Sequence, residues 1–486
     1  MNKTVIIESG KYLSEVIDQL PSHCLINKGI TGCGGTTLEL ESKRNSIILC
    51  PTRNLVTSKS SLGYFGVDGN VTMTKIREYV MKESGYKKII ATYDALEKIM
   101  KTISNYNEYF LLVDEYHLLF NDYSFRNKPI KFILDNFKNF DNWAFMTATP
   151  LKEEFILDEL KDIDQINYQW NNAVPVRMII KDTFFIQKEL INLIESISPE
   201  KNLHIFINSV STISKIVSKL DQDYRVVCSE NSKTKIKNFA KITDPVKKLN
   251  FYTSCAFEGC DINDSNGICV IVCDTNISTS MLDIATKIRQ VCGRLRDSKY
   301  KDECYLILNT NKHRYAKTSR KEFETMVADG VARGELKAKD INDKNAYEYE
   351  TELKLYNPET YTSIYLNKYD NKIFFDPNLK KMDIYNYNLI NEIYSSTISV
   401  LSEMSNNKIV AKVEKVSNDK GLAFIKNILE SREYTYGELE QIFTPIFKEH
   451  NLKWNKKTSI KNYFPDFTKR YKMVNGEREM YYKFDL

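Results

Sequence analysis

The chain has 486 residues, which is enough for about three domains. Hydrophobic residues make up 42% of it and charged residues 27%, and this composition excludes a disordered chain. The 69 basic and 64 acidic residues leave a net charge of only +5, so the overall charge indicates no particular partner. The sequence contains no apolar run of about 18 residues and no apolar signal-peptide core. We therefore expect a cytoplasmic protein without membrane contact.

Residues 1–172 alternate short β-rich runs with polar helical stretches. This alternation is typical of a parallel sheet with crossover helices. The strands are predicted at Cys24–Asn27, Ser46–Cys50, Lys88–Thr92, Phe110–Asp114 and Ala144–Thr147.

Residues 173–312 repeat the same alternation and predict a second α/β domain of similar size. Its strands are predicted at Arg177–Ile180, Leu203–Ile207, Tyr224–Cys228, Lys248–Tyr252, Cys269–Cys273 and Glu303–Leu308.

From residue 313 the alternation stops, and residues 313–415 predict a mostly helical connector. Residues 416–486 predict a winged-helix-like module, because three short helices precede a β-hairpin whose turn is Asn475-Gly476. The helices are predicted at Leu422–Ser431, Tyr436–Glu449 and Lys457–Tyr463. Basic side chains in this module would contact nucleic-acid phosphates, with Lys456, Lys457 and Lys461 as candidates. The alternative is a small protein-docking domain with a solvated basic face.

A glycine-rich segment, residues 26–37, follows the first predicted strand and opens a helix. Such a loop points backbone N–H groups at a phosphate. Its Gly29-x-x-x-x-Gly34-x-Thr36 spacing is that of a Walker A loop. Gly35 stands where a lysine normally contacts the β- and γ-phosphates, although Lys28 is close enough in sequence to reach over the loop. The alternative is a strand–helix turn that binds no ligand.

Asp114 and Glu115 end the predicted strand of FLLVDEYHLLF and form a DExH box together with His117. An Asp at this edge of a sheet can hold Mg²⁺, and the adjacent Glu can orient and deprotonate water. The next strand ends in Thr147-Ala148-Thr149, whose hydroxyls can hydrogen-bond His117 and relay the nucleotide state to a second domain.

Other polar segments stand at strand ends in both predicted domains. Pro51-Thr52-Arg53 and the segment around Thr92 offer hydroxyls and a helix start to a sugar-phosphate backbone, although an ordinary capped turn would look the same. Ser209 and Glu258-Gly259-x-Asp261 follow strands of the second domain. A helix over residues 286–297 carries three polar side chains that can contact a γ-phosphate from that domain: Gln290, Arg294 and Arg296.

In this order the segments resemble those of superfamily 2 helicases over about residues 20–312. The QVCGRLR segment resembles the herpesvirus-type replication origin-binding helicases more closely than the DEAD-box RNA helicases. The resemblance implies two tandem RecA-like domains with ATP and Mg²⁺ between them.

The resemblance also implies residue roles. The residues that would bind ATP are Lys28, Gly29, Gly32, Cys33, Gly34, Gly35, Thr36, Thr37 and Asp261, with Thr36 and Asp114 also facing Mg²⁺. The residues that would act in hydrolysis or couple it to domain motion are Asp114, Glu115, His117, Gln290, Arg294 and Arg296. Those that would lie toward the nucleic-acid strand are Arg53, Thr92 and Ser209.

The implied function is an ATP-dependent helicase or translocase that acts on nucleic acid, on DNA rather than RNA, in replication. Replication or phage-encoded proteins would be its partners, and the host cytoplasm its location if the source is viral. The glycine at position 35 keeps an alternative open: a degenerate, non-hydrolysing helicase-like protein that serves as a nucleic-acid-binding or virion assembly factor.

Overall fold

The computed structural model describes residues 3–82, 85–171, 175–259, 261–310, 318–414, 416, 433–449, 467–474 and 477–484. The first domain is an eight-stranded, fully parallel sheet in the order β1-β8-β2-β7-β6-β3-β5-β4. Its strands are β1 (Lys3–Ile7), β2 (Cys24–Asn27), β3 (Ser46–Cys50), β4 (Phe65–Val67), β5 (Lys88–Thr92), β6 (Phe110–Asp114), β7 (Asn142–Thr147) and β8 (Gln165–Trp170).

Helices cover both faces of this sheet, as crossover connections between parallel strands require. They are α1 (Gly35–Glu41), α2 (Arg53–Ser60), α3 (Met73–Val80), α4 (Leu96–Thr102), α5 (His117–Asn121) and α6 (Tyr123–Asn136). The strands read as continuous apolar runs because both faces are buried; β3, β5 and β6 are buried along their whole length.

The second domain is a seven-stranded parallel sheet in the order β11-β12-β10-β13-β14-β9-β17. Its strands are β9 (Arg177–Asp182), β10 (Asn202–Phe206), β11 (Tyr224–Val227), β12 (Leu249–Tyr252), β13 (Gly267–Cys273), β14 (Glu303–Leu308) and β17 (Val410–Val413). Its helices are α7 (Ile186–Ser196), α8 (Val210–Val217) and α9 (Arg289–Cys292).

The prediction of two tandem RecA-like domains is confirmed. In the first sheet β7 lies between β2, which leads into the glycine-rich loop, and β6, which ends at Asp114. The carboxyl ends of these three parallel strands therefore meet at one edge. All eleven predicted strands are present, whereas β1, β4, β8 and β17 were missed. Of these, β1, β4 and β17 lie at or beside a sheet edge and are short, with three to five residues.

The connector is mostly helical, as predicted, but it also supplies strands. Its helices are α10 (Arg320–Asn342), α11 (Ala346–Leu355), α12 (Pro358–Thr362), α13 (Pro377–Asn391) and α14 (Thr397–Asn406). A hairpin of β15 (Leu366–Tyr369) and β16 (Lys372–Phe375) stands between α12 and α13, and β17 adds to the second sheet beside β9. Within the described part of the chain, no helix combines the length and apolarity that a bilayer crossing requires.

The connector packs into both α/β domains. Leu379 and Met382 of α13 join the core of the first domain, and Val400 and Met404 of α14 join the core of the second. The connector therefore braces two sheets that would otherwise meet only at their junction.

The C-terminal module is described in part. A three-stranded antiparallel sheet, β18 (Glu433–Thr435), β20 (Glu477–Phe484) and β19 (Phe467–Val474), packs against α15 (Tyr436–Glu449). The second predicted helix and the hairpin strands are therefore present. The other two predicted helices, the turn residues and the three candidate lysines, Lys456, Lys457 and Lys461, lie outside the described residues.

One buried contact shows how the connector is attached to the first domain. The Tyr123 hydroxyl donates to the Asp376 carboxylate at 2.9 Å, and both residues are about 1% exposed. The same carboxylate accepts from the Asn367 amide and from the Asn378 backbone, which it caps at the start of α13. Among the described residues, the hydrogen-bond donors to the buried Asp376 carboxylate are therefore all neutral groups.

We expect Tyr123→Phe to lower the free energy of unfolding by about 1–3 kcal/mol, because it removes a donor from a buried carboxylate. Urea unfolding of the full chain measures this. The matched control is Tyr347→Phe, since Tyr347 is 80% exposed. Equal stability of the two variants would contradict the role of Asp376.

Candidate active site

The glycine-rich loop after β2 forms one wall of a cavity of about 300 Å³. Gly34 ends the loop and caps α1 with a φ of 86°, a left-handed conformation that favours glycine. The opposite wall comes from the carboxyl end of β6 and from the second domain, which contributes Asp261, Arg294 and Arg296. The structure thus brings together the loop and residues more than 220 positions later in the chain.

Thr36 and Asp114 meet at the floor of this cavity. The Thr36 hydroxyl donates to Asp114 Oδ2 at 2.7 Å. A hydroxyl and a carboxylate are oxygen donors of the kind that bind Mg²⁺ beside a phosphate. The two residues present therefore fit a divalent cation, as the sequence suggested.

Glu115 has an unusual backbone conformation. Its φ is 54°, in the left-handed region that costs a non-glycine residue about 1–2 kcal/mol. The Tyr93 hydroxyl stabilises this turn by donating to the carbonyl oxygens of Asp114 (2.6 Å) and Glu115 (3.1 Å). The strain directs the Glu115 side chain into the cavity, and backbone strain of this kind concentrates at functional sites.

Lys28, the residue just before the loop, contacts both acidic residues. Its ammonium donates to Asp114 Oδ1 at 3.1 Å and to Glu115 Oε1 at 3.0 Å, and the residue is only 6% exposed. Burial alone would lower the pKa of Lys28, but the two carboxylates outweigh it and the pKa is raised. A permanent positive charge therefore lies on the wall of the cavity.

A chain of hydrogen bonds runs from His117 to Glu115. The Thr147 hydroxyl donates to Glu115 Oε2 at 3.0 Å, so the 2.8 Å contact between His117 Nδ1 and Thr147 Oγ1 has the imidazole as its donor. Burial, and then the charge of Lys28, lowers the pKa of His117 to about 3, which keeps the ring neutral. His117 therefore orients Glu115 through Thr147 without adding charge.

Gln290 crosses the domain junction. Its amide nitrogen donates to Glu115 Oε2 at 2.8 Å and to Thr149 Oγ1 at 3.1 Å. Arg294 in turn donates to the backbone oxygen of Gln290 at 2.8 Å and to its amide oxygen at 3.0 Å. The second domain is thus bonded directly to the Glu115 carboxylate.

The prediction of one helix over residues 286–297 is wrong. A π-helical turn over Ile284–Ile288 leads into α9, which ends at Cys292 before Gly293. Arg294 and Arg296 lie in an extended segment, because Ile262 donates to the Arg294 carbonyl and accepts from the Arg296 N–H. This pairing turns both arginines toward the cavity.

Arg296 approaches the loop from the second domain. It forms an ion pair with Asp261 at 2.7 Å, and its guanidinium lies where a Cβ on Gly32 would stand. Gly32 is therefore one of the glycines that permit the two domains to approach so closely, together with Gly259 against Leu55 and Gly293 against Thr31. Asp261, predicted to lie near the ribose or the cleft, lines the cavity and pairs with this arginine.

Several lining residues were not predicted. Arg289 donates from its guanidinium to the Gly29 carbonyl at 3.1 Å, which adds a further bond between the domains. Lys59 and Tyr12 also line the cavity. Arg289 precedes Gln290 in a motif that was already recognised, whereas no sequence pattern marks Lys59 or Tyr12.

The other predicted positions are less distinctive. Cys33 and Thr37 line the cavity, and burial raises the pKa of the Cys33 thiol. Arg53 is exposed at the start of α2, and Ser209 caps α8 by accepting from the Thr212 N–H at 3.2 Å. Thr92 is only 3% exposed, so little of its side chain is accessible to a nucleic-acid strand.

Comparison with known proteins gives a distant likeness only. No protein-family model matches the chain, and no curated protein matches it. Among solved structures, Dbp5 of S. cerevisiae bound to RNA and ADP BeF3 is 12% identical to this chain and has a TM-score of 0.41. The match covers 64% of this chain and 83% of the Dbp5 chain. A hypothetical ATP-dependent RNA helicase from Sulfolobus tokodaii is 16% identical, with 59% and 88% coverage and a TM-score of 0.25.

The buried histidine makes stability depend on pH. An unfolded chain binds a proton at His117 near the ordinary histidine pKa of 6.5, whereas the folded chain binds one only near pH 3. Between these values the unfolded state holds more protons, so stability falls as the pH falls. Between pH 7.5 and pH 5 this difference lowers the free energy of unfolding of wild type by about 2 kcal/mol. We expect His117→Asn to lack this decrease.

Urea unfolding of both proteins at a series of pH values measures this difference. Asn is chosen because its amide nitrogen can still donate to Thr147. Parallel stability curves for the two proteins would show that His117 is not neutral in the folded state.

Proposed function

We propose that this chain is a nucleic-acid-dependent ATPase that works as a helicase or translocase of the superfamily 2 type. The observation that carries the proposal is the bond from Gln290 of the second domain to Glu115 of the first, at 2.8 Å. A side chain that connects the second domain to a general base can link hydrolysis to opening and closing of the two domains.

The residues divide the chemistry among them. Thr36 and Asp114 would hold Mg²⁺, which supplies charge neutralisation for the phosphates when bound. Glu115, oriented by Thr147, would accept the proton of the attacking water. Arg294 and Arg296 already line the cavity and would stabilise charge on the phosphates from the second domain.

The nucleoside part of the substrate has room beside this cavity. A second cavity of about 680 Å³ shares Tyr12, Thr31, Gly32 and Arg296 with the first, so the two adjoin. Its wall includes the aromatic side chains of Tyr168 and Trp170. Aromatic walls with a few polar groups are typical of sites for small organic ligands.

Nucleic acid is the proposed partner, DNA rather than RNA, with replication as the proposed process. The C-terminal hairpin supports a nucleic-acid partner. Arg470 and Lys472 are more than half exposed and share Glu433 as their only acidic partner among the described residues. On the same face of the hairpin, the Lys472 ammonium lies 5.2 Å from the ring centroid of Tyr481 on the facing strand. Exposed cations beside an aromatic ring suit a phosphate backbone and its bases.

A second candidate function is a non-hydrolysing, nucleic-acid-binding or assembly role. One observation favours it: both oxygens of Glu115 are already bonded, Oε1 to Lys28 and Oε2 to Thr147 and Gln290. A general base must release at least one of these partners before it can bind water.

We expect Glu115→Gln to reduce ATP turnover at least a hundredfold while ATP binding remains, because an amide accepts no proton. The measurement is phosphate release with no nucleic acid, with single-stranded DNA and with single-stranded RNA. Glu154→Gln is the matched control, since Glu154 is exposed and outside the cavity. A wild type no faster than Glu115→Gln on every nucleic acid would favour the second candidate.

We expect Arg470→Ser with Lys472→Ser, in the full chain, to weaken duplex DNA binding. The slope of log affinity against log salt should fall by up to about 1.8, since each lost phosphate contact contributes about 0.9. Fluorescence anisotropy over a salt series measures it. The control is Lys321→Ser with Lys339→Ser, two exposed lysines of α10. An unchanged slope would exclude the hairpin from the binding surface.

A further inference from the structure

We propose that Lys28 supplies the cation that the phosphate loop lacks at Gly35, and that its ammonium binds the β- and γ-phosphate oxygens of a nucleoside triphosphate. The inference rests on the proposed function, because it assigns a residue of the same site. It moves the phosphate-binding charge from position 35 to the residue that directly follows β2.

The space beside Gly35 is already filled. A Cβ on Gly35 would lie 2.8 Å from the Met146 sulfur and 3.7 Å from Cδ of Lys28. A long side chain at position 35 would therefore have to displace Met146 and compete with the Lys28 stem. Met146 thus limits the space at position 35, and the aliphatic part of Lys28 lies directly beside it.

The ammonium of Lys28 also has capacity for a further partner. It has three N–H donors, and two of them are used by Asp114 and Glu115. Across the described part of the chain, the third donor has no hydrogen-bond acceptor. Lys28 lines the same cavity as Thr36 and Gly32. A phosphate oxygen in that cavity would accept a hydrogen bond from this third N–H.

The local charges require a cation here. Asp114 and Glu115 place two negative charges on the wall of a cavity proposed to hold a polyanion. Lys28 is the described residue that forms ion pairs with both of them. Its charge reduces their repulsion of an incoming triphosphate.

Lys59 is the rival cation. It also lines the cavity, but it comes from the last turn of α2, is only half-buried and makes no ion pair with any described residue. Arg294 and Arg296 belong to the second domain and are bonded to Gln290 and Asp261. Lys28 is therefore the first-domain cation whose position is fixed by charged partners.

The test compares two ligands, the non-hydrolysable triphosphate analogue AMPPNP with Mg²⁺ and AMP, by calorimetry. A contact to the β- and γ-phosphates affects only the first. For Lys28→Met we expect AMPPNP affinity to fall by about tenfold or more and AMP affinity to stay within about twofold. Lys28→Arg, which keeps the charge, should recover part of the loss.

Two controls separate this role from a structural one. Lys88→Met removes another buried lysine, one bonded to Glu39 and two serines at the far end of the sheet. It should cost stability without changing the ratio of AMPPNP to AMP affinity. Lys28→Met removes the ion-pair partner of Asp114 and Glu115. The comparison of AMPPNP and AMP affinity is therefore repeated in a Glu115→Gln background, where one of the two carboxylate charges is absent.

The inference would be overturned if Lys28→Met weakened AMPPNP and AMP binding equally, or weakened neither. It would also be overturned if Lys59→Met weakened AMPPNP binding and Lys28→Met did not. The proposed function can fail separately, because binding is measured without turnover. A chain that binds AMPPNP through Lys28 but hydrolyses no ATP supports the inference and refutes the ATPase. If Lys28→Met hydrolyses ATP as fast as wild type, the inference is refuted and the proposed function is not.

Discussion

The Glu115 carboxylate is a buried point of contact between the two halves of this molecule. One oxygen accepts from Lys28, which directly follows β2, and the other accepts from Thr147 of β7 and from Gln290 of the second domain. A buried carboxylate needs such partners, because an unpaired charge away from water costs several kcal/mol. The bonding of this side chain is therefore one of the contacts that fix the relative position of the domains, together with the bonds from Arg289 to the Gly29 carbonyl and from Asn54 to the Cys255 carbonyl.

The connector limits how the domains can respond. Its α13 contributes Leu379 and Met382 to the core of the first domain and Leu389 to the core of the second, so this one helix contacts both domains. Its α14 packs on the second domain, and β17 lengthens the second sheet. Rotation of one sheet against the other would therefore disturb the packing of α13.

Much of the fold could be predicted from local patterns. The strands of both parallel sheets stand out because each is a short apolar run between turn signals, and burial on both faces makes that signal strong. The strand β1 was missed because it lies at the edge of its sheet and is partly exposed. The helix predicted over residues 286–297 ends at Cys292 in the structure. After Gly293 the chain pairs with Ile262, which is distant in sequence, and this pairing outweighs the local helical preference.

The order of the motifs and the chemistry of their residue types could be recognised from the amino-acid sequence, since each motif is a local pattern of glycines, carboxylates or hydroxyls at a strand end. Lys28 could be named as a candidate from its position beside the loop, but its contact with Glu115 could not, because that contact spans 87 residues, and the contact of Gln290 with Glu115 spans 175. A missing lysine in a loop is visible in the sequence. Whether another cation replaces it depends on which side chains the folded strands bring within 3 Å of one another.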